Sequence, residues 1–123
     1  MGITYKKHPL HPNDILIKDF KGAISAEDII ASWEELRLSK AINKNVKGII
    51  NDLSICDLVM TLAEFGKLME YLKGQEYLMN VKLAVITDRP STIVFPMLGE
   101  RETDLLIKPF CTTRSAVDWI ING

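Results

Sequence analysis

Few residues of this chain are spaced for chemistry, and the ones that are crowd a single corner between Val46 and Gly74. Asp52, Ser54, Asp57 and Thr61 lie between a short apolar run and the start of a helix. Two carboxylates such as Asp52 and Asp57, brought close together, can share acid–base work or bind backbone amides. The Ser54 and Thr61 hydroxyls are candidate phosphate acceptors. At Thr61 the helix dipole would favour the added negative charge. A structural role competes at each position, because Thr61 followed by Glu64 is a capping-box pattern that already engages the hydroxyl.

Other familiar chemistries lack their parts. No serine or cysteine sits in a Gly-x-Ser-x-Gly turn, and both histidines fall in one N-terminal loop, so a nucleophile–base pair is not in view. Glycine-rich dinucleotide and phosphate-loop patterns are absent. His8 and His11 have a His-x-x-His spacing, but only Asp14 is nearby and two prolines interrupt the segment; it reads as a polar turn. Cys56 and Cys111 have no metal-like spacing and are expected to be free thiols. The expectation is a non-enzyme without catalytic residues, metal or cofactor.

Composition agrees with a folded interaction domain. With 123 residues, 47% hydrophobic and 25% charged, the chain is expected to form one domain over residues 1–123 with a core that needs no staple. Fifteen basic and sixteen acidic residues give a net charge of −1, which argues against nucleic acid as a partner. No apolar run approaches a membrane span and no signal peptide opens the sequence, so a cytoplasmic protein is expected.

The elements that position the corner follow from hydrophobic period and punctuation. Ile3 to His8 alternates as a half-exposed strand, a proline-rich turn follows, and Ile15 to Phe20 is a second strand, predicting a hairpin. Ser25 with Asp28 caps a helix, Ile24 and Ile29 staple it, and Ile29, Ile30, Trp33 and Leu36 form its buried stripe. Val46 to Asp52 is a third strand. Thr61 and Glu64 cap a second helix, Met60 and Phe65 staple it, and Leu62, Phe65, Leu68, Met69 and Leu72 are its apolar face up to Gly74. Val81 to Thr87 reads as a strand covered on both sides. A short helix is expected over Ile93 to Gly99, a last strand over Leu105 to Ile107, and a final helix capped by Thr112 or Thr113 and carrying Ala116, Val117, Ile120 and Ile121. The order ββαβαβαβα predicts an α/β fold: a mixed, mostly parallel sheet of about five strands with an N-terminal hairpin and four helices.

Lys108-Pro109 after the last strand and Asp52 after a central one are similar to response-regulator receiver domains. The likeness stops at Lys18-Asp19-Phe20-Lys21-Gly22, where receivers carry an acidic pair for magnesium. Asp52-Leu53-Ser54 before the second helix, the element order over nearly the whole chain, and Phe110 followed by Ala116-Val117-Asp118-Trp119-Ile120 resemble the anti-sigma-factor antagonist (STAS) family. Within it, the SpoIIAA-like and STAS/Sec14-like bacterial proteins are the nearest in pattern. Phosphorylated antagonists of that family carry Asp-Ser-x-Gly at the second helix, whereas this chain has Asp57-Leu58-Val59-Met60-Thr61.

The resemblance implies a non-enzymatic signalling or protein-interaction module of unstated pathway. Leu58, Val59 and Met60, apolar in an expected loop, are the candidate partner patch. The alternative is a carrier of a small apolar ligand or lipid, as the Sec14-like label implies, with Met69, Phe95, Met97 and Leu98 lining a cleft. A homodimer is compatible with the sequence but not specified by it.

Overall fold

In the computed structural model, residues 2–89, 101 and 104–123 are described. Five strands form one sheet in the order β1-β2-β3-β4-β5: Gly2–Lys7, Ile15–Ser25, Gly48–Val59, Lys82–Ile86 and Leu106–Phe110. The β1–β2 pair is antiparallel and the other three pairings are parallel. Among the described residues there are three α-helices, α1 (Ala26–Ser39), α2 (Leu62–Lys73) and α3 (Thr113–Asn122), and a 3-10 turn at Glu76–Leu78. The α/β class and the mixed five-stranded sheet match the sequence expectation. The expected helix over Ile93 to Gly99, with Phe95, Met97 and Leu98, lies outside the described residues.

Side-chain alternation sorts the core onto two faces. Leu16, Phe20, Ile49, Leu83 and Ile107 meet Trp33 and Leu36 of α1 and Phe65, Leu68, Met69 and Leu72 of α2. Ile15, Ile17, Ile50, Ala84 and Ile86 meet Ala116 and Ile120 of α3 on the other face. Strands covered on both faces must be apolar at consecutive positions, which is why Ile15-Leu16-Ile17 and Ile49-Ile50 carry no alternation. Pro109 is tolerated because β5 is an edge strand.

The three helix starts are set by their caps. Ser25 Oγ accepts from the Asp28 amide while the Asp28 carboxylate accepts from the Ser25 amide. Thr61 and Glu64 repeat the arrangement on α2, and Thr112 Oγ1 accepts from the Ser115 amide on α3. One member of the expected apolar stripe is corrected: Leu62 is 71% exposed, since the first turn of α2 projects past its neighbours.

Two strands are longer than the sequence pattern implies. β2 continues to Ser25 and β3 to Val59, so the stretch from Leu53 to Val59 expected as a loop is strand. Alternation stops at the Asp19–Gly22 and Asp52–Ser54 stretches, which hides the continuation. The ribbon formed by Lys21–Ser25 and Ile55–Val59 runs beyond β4, whose pairing with β3 ends at Asp52↔Ile86.

Candidate functional site

Asp52-Leu53-Ser54 is a β-bulge. Asp19 pairs with Asp52 and Lys21 with Ile55, so three steps along β3 match two along β2. The extra residue is held by the Asp52 carboxylate, whose Oδ1 accepts from the Ser54 amide at 3.0 Å and from the Ser54 hydroxyl at 2.5 Å. On β2, Gly22 takes a φ of 77° as the register recovers, a backbone angle that disfavours any side chain.

The bulge changes which residues face the core. Before it the odd residues Ile49, Asn51 and Leu53 face α1 and α2; after it the even residues Cys56, Leu58 and Met60 do. A strand's side chains alternate with period two, so one inserted residue inverts everything downstream. The expected patch Leu58-Val59-Met60 is therefore divided: Leu58 and Met60 pack against the core, and Val59 points outward with Ile55 and Asp57. Ile55, Val59 and Leu62 are 60%, 59% and 71% exposed, an apolar group on the outer side of the same corner. Ile55 and Leu62 were not among the expected patch residues; strand parity joins Ile55 to Val59, and the bulge decides that their face is the outer one.

Each polar residue of the corner has its own local partner. Asp57 pairs with Arg89 Nη1 at 2.7 Å, and the same nitrogen donates to the Cys56 carbonyl at 2.6 Å. Arg89 thus clamps the protruding ribbon to the chain leaving β4. The Thr61 hydroxyl is taken by the Glu64 amide. Burial pushes the Cys56 thiol up to about 11, with Arg89 opposing and Asp57 and Asp52 reinforcing the rise, so it is an inert core thiol rather than a nucleophile. Both cysteines are free, Cys56 buried and Cys111 exposed.

The histidine loop is a turn: the Leu10 amide donates to His8 Nδ1, the two rings lie 5.3 Å apart, and burial lowers the His8 pKa with His11 adding to the effect. Among the described residues no group of three or more His, Cys, Asp or Glu is placed to hold a metal. No described helix is long and apolar enough to cross a membrane.

Under the corner, between α2 and the sheet, lies a cavity of about 90 Å³ lined by Phe20, Trp33, Leu58, Met60, Phe65 and Met69 among other apolar residues. Asn51 is the polar side chain among the described residues lining it, and its amide donates to the Ala84 carbonyl. Beside Asn51, on the neighbouring strand, stands a residue not expected at the site: Lys18 is wholly buried. The signal was present in the parity of Leu16-Lys18-Phe20, which puts the lysine on a core face.

No protein-family model and no curated protein matches this chain. Solved structures do. An uncharacterized DUF3478-family protein with a SpoIIAA-like fold from Shewanella loihica PV-4 superposes with a TM-score of 0.63 at 20% identity, over 97% of this chain and 92% of that one. The anti-sigma factor antagonist SpoIIAA in its unphosphorylated form gives 0.61 at 13% identity, over 99% and 100%. The phosphorylated form of the Bacillus cell fate determinant SpoIIAA gives 0.54 at 14%, over 97% and 99%. The chain has a SpoIIAA-like fold.

Proposed function

We propose that this SpoIIAA-like domain is a STAS-type regulatory module that binds a protein partner through the outer side of the β2–β3 ribbon and the first turn of α2, without catalysing a reaction. The observation that carries the reading is the exposed group Ile55, Val59 and Leu62 at one end of the fold. Exposed apolar side chains gathered at one site mark contact surfaces, and here the Asp57–Arg89 ion pair supplies the polar border usual for such a patch. Leu58 and Met60 support it from beneath. SpoIIAA, described as an antagonist of an anti-sigma factor, shares the fold, which favours a protein as the partner class.

On this reading Ser54 and Thr61 are structural hydroxyls. A phosphate on Ser54 would stand against the Asp52 carboxylate that it now donates to, and one on Thr61 would disturb the cap and approach Glu64.

Affinity capture with the tagged chain tests the proposal. The wild type should retain a protein that the double variant Ile55→Asp/Val59→Asp loses by about tenfold or more, the loss expected when an apolar anchor worth ~1.4 kcal/mol is removed. The double variant's thermal melt should coincide with that of the wild type, because the two side chains are exposed. Identical captured proteins for wild type and variant would sink the surface. A light-scattering mass separates a second copy of this chain from a foreign partner.

A further inference from the structure

The cavity beneath the corner and Lys18 beside it form one arrangement. Lys18 and Asn51 are register partners on β2 and β3 and share the α1/α2 face. Lys18 Nζ lies 3.6 Å from the ring centroid of Trp33 and 5.3 Å from that of Phe20, and both rings line the cavity. It is buried with no hydrogen-bond partner among the described residues. The ring faces offer its N–H donors no acceptor for a directed bond. A buried donor without an acceptor is costly, and native proteins keep few of them.

The cavity supplies the complementary half. Among the described residues its lining is apolar apart from Asn51, so water gains little by entering. The space open to the centre of a water-sized sphere is about 90 Å³, several times the ~10–15 Å³ that one water needs. That accommodates a short aliphatic segment and is too small for a lipid tail. Met60 and Met69 in the wall are flexible and polarizable, which suits a slender hydrocarbon guest.

We propose that this cavity binds a short-chain aliphatic carboxylic acid, its hydrocarbon among Leu58, Met60, Phe65 and Met69 and its carboxyl group at the Asn51 end, where Lys18 meets it. Lys18 is not itself part of the cavity wall; its amine turns from the ring faces toward the carboxyl group. Burial holds the Lys18 amine well below its ordinary range. An acid entering beside this amine shares one proton with it, and on whichever group that proton sits the pair carries no net charge into the protein. The aldehyde or alcohol of equal length lacks that proton and charge. The proposal is independent of the partner surface, and neither falls with the other.

The test uses the full chain with ¹³C-methyl methionines, titrated with sodium butanoate, hexanoate and octanoate and with the matching alcohols. Hexanoate is expected to move the Met60 and Met69 methyl resonances saturably and to raise Tm with concentration. Hexanol should bind about tenfold more weakly, the worth of a charge-assisted contact. In Lys18→Met the acid and the alcohol should bind alike. A second variant, Met69→Trp, fills the cavity and should abolish the hexanoate response at Met60 even if Lys18→Met does not fold. Unmoved methyl resonances, equal wild-type affinity for hexanoate and hexanol, or an undiminished response in Met69→Trp would overturn the proposal.

Discussion

Gly48 lies directly against Ile120: a Cβ built on the glycine would stand 2.6 Å from two carbons of the isoleucine side chain. The first residue of β3 is thereby the seat of α3, and the absence of a side chain there sets how closely the C-terminal helix approaches the sheet. Lys82 completes the seat, its ammonium donating to the Trp119 and Gly123 carbonyls at 2.8 and 2.7 Å, where the helix dipole is negative. Gly48→Ala should therefore cost about 1–3 kcal/mol by overpacking. Urea denaturation monitored by tryptophan fluorescence measures it, and a companion Ile120→Ala change, which removes both clashing carbons, should cost less in Gly48→Ala than in the wild type.

Lys18→Met should stabilise the protein at neutral pH by about 1–3 kcal/mol, because a buried amine without an acceptor is replaced by an apolar side chain of similar length. The sign with pH follows from the lowered Lys18 pKa. Between the folded and the unfolded values the unfolded chain binds more protons, so wild-type stability rises with pH across that window. The advantage of the variant should shrink as pH approaches ~10.4, the ordinary lysine value. Chemical denaturation at neutral pH and near that value decides it; a constant difference would refute the lowering of the Lys18 pKa by burial.

Glu34 links α1 to α2 by accepting the Tyr71 hydroxyl while pairing with Arg37 on its own helix. Arg37 first, then Tyr71, hold the Glu34 carboxyl down at about 2, and burial with Glu34 raises the Tyr71 hydroxyl. A depressed carboxyl stabilises above its unfolded value, and the benefit is lost as pH falls from ~4.3 through about 2. Tyr71→Phe should lower the melting temperature at neutral pH and narrow this acid loss. Melts at a series of pH values between neutrality and acid give the comparison.

Deleting Ser54 is the sharpest test of the bulge. Without it β3 pairs one to one with β2 and Lys21 still lies opposite Ile55, so Cys56 and Leu58 stay inward and Asp57 stays outward. The expected cost is therefore small for a deletion, about 1–2 kcal/mol from straightening the strand, with no dye binding to newly exposed surface. Ser54→Ala, which keeps the residue count and loses an exposed hydroxyl contact, should cost only ~0.5–1.5 kcal/mol. A deletion that costs about 3 kcal/mol or more, with dye binding, would show that Asp52-Leu53-Ser54 does more than absorb one extra residue.

Thr61→Ala should cost about 1 kcal/mol through loss of the α2 cap. Amide hydrogen exchange should quicken in the first turn of α2 and stay unchanged in α3.

The sequence by itself determined what depends on neighbours along the chain. The capping boxes at Ser25 and Thr61 fix two helix starts because donor and acceptor are three residues apart. The apolar runs at Ile15, Ile49 and Val81 identify strands covered on both faces. Their order, with helices between, selects a mostly parallel sheet. What only the tertiary structure decided depends on pairing across strands. An extra residue at Asp52-Leu53-Ser54 is invisible until β2 lies beside it, yet it inverts the side chains that follow, so that Leu58 and Met60 face the core and Val59 faces out. The Arg89 clamp on Asp57 joins residues 32 apart in sequence, on separate elements. Strand parity puts Lys18 on a core face, but nothing local says that it is left without a partner there. Its burial against Trp33 is set by α1 closing over the sheet, and that closure, rather than any local motif, creates the unpartnered amine.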